Sequence, residues 1–455
     1  MKRCLIEIND AGIRISDASG LLRVSPGFAF LHQGSLLTGE QAAARIRTNP
    51  RAGSDRFWHQ LNQAALPRPL GPARTHADLA WYHLRELWAP LADDYDAVLL
   101  SVSGDYDAER LSTLLGIARA CEMPVRSVVV AAVAAAASHW QHTDLEHAAD
   151  LICIDAQWHR LLLEPLQMQA GRVRLAATNP VASGDVVRHG LAALYERWAH
   201  MIAEAFLQHT RFDPLHTAAS EQQLYDGLPG WLQQLAVQQR IPLQLSAAGH
   251  DFAIELEREQ FSAAAADLYA PLLNMLTAHD KPLLLRQRLT LLPGLIEQLR
   301  EQTAVHIVAD DLVSDYLLQS APELISDDDD EVPHHSSLAL VAGDNLSAAT
   351  QPNLTTASAS PTHVSDGALL WAIAAEGISL PPPGFEPSTP VDHCRLQPAS
   401  DGQIMLRSLA GNAANADLRL NDEPLQPADM KQPLRLSAGD RIDVAGQEFR
   451  LLRLR

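Results

Sequence analysis

The sequence predicts an α/β fold over residues 1–322, joined through a linker at 323–367 to a small all-β module at 368–455. Three observations carry this. Short apolar runs of strand type alternate with helical patterns through the first region, as in sheets covered by helices. Near Glu323 the composition turns acidic (327–331, "DDDDE") and then rich in Ser, Thr and Ala, with too few large apolar side chains to offset the entropy of ordering. Beyond Gly367, apolar and polar residues alternate at period two between short turns, the pattern of a β-sandwich.

The elements follow in order. In "CLIEINDAGIRISDASGLLRV", residues 5–8, 13–16 and 21–24 are β-type runs separated by Asn, Asp and Gly, which makes a meander. Helical patterns at 39–47 and 79–88 precede a buried strand at 98–102. The helix opening with "DAER" takes Asp105 or Asp107 as its N-cap, because a short side-chain oxygen satisfies the free amides of a first turn. A strand at 125–130 runs into "AAVAAAAS", an alanine-dominated helix. Strands are expected at 151–155, 160–165 and 282–286, long helices at 186–208 and 259–277, and a further helix from Leu295. After the linker, "ALLWAIAAEG" reads as a short helix and "LPPPGFEP" as a proline-rich turn. No tandem repeat is visible.

Bulk properties narrow the function. A formal net charge of -20 opposes sequence-independent binding to nucleic acid or to an anionic membrane. The four cysteines (Cys4, Cys121, Cys153, Cys394) are far apart and form no CxxC, so neither a disulfide framework nor a zinc site is expected. The start lacks a signal-peptide apolar core, and the longest apolar run, 128–137, is short of the roughly 20 residues a spanning helix needs. A cytoplasmic protein is expected. Glu196 and His200 share the i,i+4 spacing of a metal pair but lack a third ligand, so a solvated helix face is expected there. The chain contains no Walker A, GxSxG, HExxH or Rossmann motif.

The order of the elements is more specific. "SPGFAFLHQGSLLTGEQAAARIRTNPRAGSDRFWHQL" and "SVSGDYDAERLSTLLGIARACEMPVRSVVVAAVAAAAS" together resemble the nucleotide-binding domain of heat-shock protein 70, in the actin-like ATPase superfamily. The resemblance covers about residues 4–322 and implies an actin-like fold. Its nucleotide motifs are altered. The family's first phosphate loop, Asp-Leu-Gly-Thr-Thr, corresponds here to Glu7-Ile8-Asn9-Asp10-Ala11; the second, Asp-Leu-Gly-Gly-Gly-Thr, corresponds to Asp155-Ala156-Gln157-Trp158-His159. Side chains replace the glycines whose bare backbone approaches phosphate. Gln287 and Arg288 stand at the adenosine-side glycines, Trp58 near the catalytic lysine, and Ala131-Ala132 at a Glu-Pro. Asp155 alone is kept as a candidate contact to metal-bound water, weighed against a polar strand end that faces solvent. The cleft formed by Glu7, Asn9, Asp155, Gln157 and Arg288 is therefore expected to be a degenerate nucleotide site without ATP turnover. No cofactor is expected, with ATP and magnesium left open if the cleft still accepts adenine.

The terminal segment looks like the latter part of a forkhead-associated domain. "DHCRL", "LNDEPL" and "LSAGDRIDVAG" carry the likeness over about 65 residues, with His393 and Asn421 at the family's structural His and Asn-Gly positions. That resemblance implies partner binding through His393, Arg395, Arg407 and Asn421. The sequence therefore favours a pseudo-ATPase of the heat-shock-protein-70 kind that binds a protein partner as an interaction or regulatory scaffold. Two other readings stay open: a divergent ATP-binding chaperone, and an adaptor that reads phosphopeptides.

Overall fold

The computed structural model describes residues 1–141, 150–176, 189–277, 280–326 and 332–340, and, further on, strands and one turn between 363 and 452. Two compact units are present, Met1–Asn345 and Leu346–Arg455. The first is mixed α/β, as its sequence predicts.

Its first sheet begins with the expected meander, Arg3–Glu7, Ile13–Asp17 and Gly20–Ser25, paired antiparallel. Ala97–Val102 then pairs parallel with Arg3–Glu7, and Val125–Val130 pairs parallel with Ala97–Val102. Every residue of Ala97–Val102 is buried, which explains its unbroken apolar run: a central parallel strand is covered on both faces. The Ala108–Ala120 helix is capped by Asp107, whose carboxylate accepts from the Arg110 amide at 2.8 Å; Asp105 is released for other contacts.

The second sheet repeats the arrangement. Leu151–Ala156, Leu161–Gln169 and Arg172–Leu175 form an antiparallel meander; Leu283–Arg286 pairs parallel with the first of them, and Val305–Val308 pairs parallel with Leu283–Arg286. Numbered by appearance within each half, both sheets run 3-2-1-4-5. In both halves the fifth strand is followed by a helix, Ala131–Gln141 and Asp310–Leu324, and these two helices pack against each other. Alanines 132 and 134–137 lie in one core with Val313, Leu317 and Ala321. Small side chains let the helices approach closely, so the alanine run is the seam between the halves.

Each half carries an insertion between its third and fourth strands. In the second half this comprises the helices Leu191–Thr210, Ala218–Val237 and Arg258–Leu276, and a hairpin, Arg240–Ala247 with His250–Glu257. The hairpin turns through Ala248 and Gly249, both at positive φ, which suits a tight two-residue turn.

The first unit also takes in residues expected to belong to the linker. The Asp310–Leu324 helix runs past residue 322. His334–His335 then pairs parallel with Val125–Val130, and Ser337–Ala339 pairs antiparallel with Arg172–Leu175. One extended segment thus joins an edge of each sheet. It is held because backbone pairing there is accompanied by burial of Leu338, by Arg172 donating to Ser337 Oγ at 3.1 Å, and by the His335 ring against the Leu324 carbonyl at 2.9 Å. Leu338→Ala should cost about 2–3 kcal/mol, the lower part of the range for truncating a buried leucine. Urea denaturation with an unchanged midpoint would show that the Leu338 side chain adds nothing to the unit's stability.

In the second unit, described strands form a six-stranded and a four-stranded sheet. Leu370–Ala372, expected in a short helix, is a strand paired with His363–Ser365, with Trp371 opposite Val364. Cross-strand pairing overrides the helix preference of the surrounding alanines.

Candidate functional site

The two halves meet at the turns that follow their first strands. The Asn9 side chain caps its own turn, its Oδ1 accepting from the Ala11 amide at 2.9 Å, and its Nδ2 donates to Asp155 Oδ2 at 2.8 Å. In return the Trp158 amide donates to Asp10 Oδ1 at 2.6 Å. The Trp158 indole donates to Asp55 at 3.0 Å and packs edge-on against Phe28 and Tyr195, with ring centres 5.1 and 5.3 Å away. The two turns that the sequence resemblance sets against phosphate loops thus bond to one another.

Beneath the turns lies a buried ion network. Arg286, 2% exposed, ends an apolar strand and donates from Nη2 to both Glu7 oxygens at 2.9 and 2.8 Å, and to Asp310 Oδ1 at 2.8 Å. Its Nε reaches the same Asp310 oxygen at 3.1 Å. Arg14 adds contacts to Asp310 at 3.7 Å and to Asp311 at 2.8 Å. Asp310 opens its helix, where the free amides and the helix dipole favour a negative charge. Burial alone would push its carboxyl up, but Arg286, with Arg14 and Arg288, holds it below the ordinary value.

Asp155 is buried, so the expected solvent-facing strand end is not what forms. Desolvation pushes its pKa up to about 6 against the pull of Arg286 and Arg288. Arg288 lies 3.9 Å from Asp155 and donates to the Ala156 carbonyl at 2.9 Å. Glu164, 4% exposed, is pushed up to about 8 by burial and accepts from the Gly104 amide at 2.5 Å. That position must be glycine, since a Cβ there would collide with the Glu164 carboxyl and with Leu175. Asp105 receives Arg110 at 2.7 Å and Arg160 at 2.5 Å, and Arg160 also donates to Gln157 at 2.7 Å.

Little space remains. The cavity bounded by Glu7, Asn9, Asp155, Gln157, Glu164 and Arg286 is about 10 Å³, room for one water. Ala131 and Ala132 also line it. The two halves touch again at Arg47. Its guanidinium lies 3.7 Å over the Tyr225 ring and 3.7 Å from Glu221, and its amide donates to Gln222 at 2.9 Å.

Trp58 is buried and donates to His83 Nδ1 at 3.0 Å. Nδ1 is thereby an acceptor, so Nε2 carries the proton and donates to Ser25 Oγ at 2.8 Å. This Ser–His pair is a structural contact: the ring nitrogen facing Ser25 has no lone pair with which to take a proton. Burial holds His83 neutral, its pKa lowered to about 3.

The cleft thus brings together Glu7, Asn9, Asp155, Gln157 and Arg288. Arg286, Asp310, Arg14, Glu164 and Asp105 are the participants that sequence reasoning missed. One signal for Arg286 was present: a cation closing the four-residue apolar strand "LLLR" requires a buried partner.

Of the C-terminal candidates, Arg395, Arg407 and Asn421 fall among the described residues. His393 lies outside the described residues. Arg395 and Arg407 stand opposite each other in the four-stranded sheet. Asn421 is exposed in the turn after Leu418–Leu420, at φ 51°. Glu196 and His200 are exposed, and among the described residues no cluster of three or more His, Cys, Asp or Glu has the geometry to hold a metal. Among the described residues, too, no helix is long and apolar enough to cross a membrane. No family model matches the chain, and no curated relative matches it.

Proposed function

We propose that this protein is a non-catalytic interaction or regulatory scaffold, built on an actin-like, heat-shock-protein-70-like frame that has lost ATP turnover. The repeated 3-2-1-4-5 sheets, each with its trailing helix at a shared seam, support the frame. The loss of turnover rests on one observation: the two turns that would cradle phosphates bond directly through Asn9–Asp155 and Asp10–Trp158, above a buried Arg286. Phosphoryl transfer needs donors aimed at a bound phosphate; here the donors are engaged by the protein's own carboxylates. Recognition of a protein partner is assigned to the Leu346–Arg455 unit, read as a forkhead-associated-like module. A reducing, cytoplasmic setting suits Cys4, Cys121 and Cys153, which are free thiols; burial pushes Cys4 up to about 12 and Cys121 up to about 11.

Titration of ATP and of ADP, each with magnesium, into the full chain should give no saturable heat, and phosphate release should match a protein-free control. Saturable binding together with phosphate release that disappears in Asp155→Ala would overturn the reading in favour of a divergent ATP-driven chaperone.

A further inference from the structure

The internal repeat brings out an asymmetry at the sheet edges. In each sheet the third and fifth strands are the outermost of the repeated set. A strap, residues 334–339, covers one edge of each. His334–His335 lies beside the fifth strand of the first sheet, and Ser337–Ala339 beside the third strand of the second. The counterpart edges, Gly20–Ser25 and Val305–Val308, have no strand on their outer side among the described residues. These two edges differ in exposure. No residue of Val305–Val308 is exposed, whereas Leu22, Arg23 and Val24 of Gly20–Ser25 all are. Among the described residues five large apolar side chains are exposed, and Leu22 and Val24, each at 38%, put two of them on this one strand. An open edge of that kind is a ready surface for pairing, which folded proteins usually cover.

The covered counterpart shows what such an edge accepts. Arg172–Leu175, the third strand of the second sheet, takes Ser337–Ala339 antiparallel, with Leu338 buried opposite Val173. Arg172 secures the incoming strand, donating to Ser337 Oγ at 3.1 Å and to the Ser337 carbonyl at 3.2 Å. Gly20–Ser25 offers the same ingredients. Leu22 sits at a bulge, with no partner of its own on Ile13–Asp17, and residues 23–25 then pair regularly. The regular run is as long as the one that holds the strap, and it opens with an arginine followed by a valine.

We infer that the outer edge of Gly20–Ser25 binds an extended segment of a protein partner as an added antiparallel strand, the segment having an acidic residue between two apolar ones. Backbone pairing supplies the affinity in this mode, and alternate side chains supply the selectivity. An acidic residue opposite Arg23 completes a charge pair across the strands. The flanking apolar residues then cover Val24 and Leu22. A second copy of this chain fits less well. The antiparallel register that joins Leu22 of one copy to Val24 of the other sets Arg23 against Arg23, and like charges directly opposite destabilise a sheet. The inference does not depend on the reading of the Leu346–Arg455 unit; it gives the scaffold a second place of contact.

The test uses the full chain and a fluorescent peptide, Thr-Val-Glu-Val-Thr, capped at both ends. Anisotropy should show saturable binding, and the peptide should slow amide exchange in residues 20–25. R23E should weaken binding about fivefold, the scale of one exposed charge pair. A Thr-Val-Lys-Val-Thr peptide should reverse the preference and bind R23E better than the wild type. Edge pairing has a further signature, because successive amides of a strand point to opposite sides. Of two peptides N-methylated at adjacent residues, one should lose binding and the other keep it. If R23E misfolds by circular dichroism, that methylated pair decides the matter on the wild type. Absence of saturable binding up to millimolar peptide, equal binding of the methylated pair, or protection confined to residues outside 20–25 overturns the inference. So does a wild-type dimer in sedimentation whose formation itself slows exchange in 20–25, since the edge would then belong to a second copy.

Discussion

Arg286→Ala should be the most damaging single substitution in the first unit, costing roughly 3–5 kcal/mol, the range for removing one partner of a buried ion pair. The guanidinium is the cation shared by Glu7 and Asp310, both of them buried. Without it two carboxylates face each other in a cleft with room for one water. The loss would come from the stranded charges more than from the pair itself, because burying an ion pair is close to neutral against apolar residues of the same size. A triple variant, Glu7→Gln with Arg286→Met and Asp310→Asn, should therefore recover most of the stability lost in Arg286→Ala. Thermal melts of the wild type and both variants decide the matter. If Arg286→Ala melts within a degree or two of the wild type, the network is not what holds the halves together.

The two sheets were legible to different degrees. Central strands such as Ala97–Val102 and Leu283–Arg286 announce themselves because burial on both faces demands unbroken apolar runs. The Ala218–Val237 helix does not, because Gly227, Pro229 and Gly230 interrupt its core stripe of Leu224, Leu228, Trp231 and Leu235. Packing on that stripe outweighs the breakers. The strap of residues 334–339 was hidden because its hold is mostly backbone pairing, which leaves no side-chain pattern beyond Leu338.

The internal repeat escaped detection because it is one of topology. Only an echo remains at the turns, where a carboxylate at Glu7 and Asp155 is followed two residues later by an amide at Asn9 and Gln157. For the same reason, the two turns could be located from the sequence but their direct bonding could not. Asn9 and Asp155 are 146 residues apart, and nothing local pairs them.

Glu164→Gln should stabilise the protein increasingly as pH rises, and the wild type should lose stability over the same range. In the folded chain burial pushes the Glu164 carboxyl up to about 8, against an ordinary value of 4.5. A raised carboxyl pKa means that the unfolded chain ionises more readily. The stability it contributes is therefore complete below about 4.5, declines at roughly 1.4 kcal/mol per pH unit, and is lost once pH passes about 8. Other groups shift with pH as well: Asp155 and Asp10 in the same direction, Asp310 and Asp105 in the opposite one. The informative quantity is therefore the difference between variant and wild type at each pH. Glutamine keeps an acceptor for the Gly104 amide, so the contact between the halves is preserved while the proton is removed from the balance. Denaturant unfolding at a series of pH values should show a small difference near pH 4.5 that grows to a plateau of roughly 3–5 kcal/mol above pH 8. A difference that stays flat from pH 5 to pH 9 would mean that Glu164 is already ionised in the folded chain, and that the Gly104–Glu164 contact is not a neutral one.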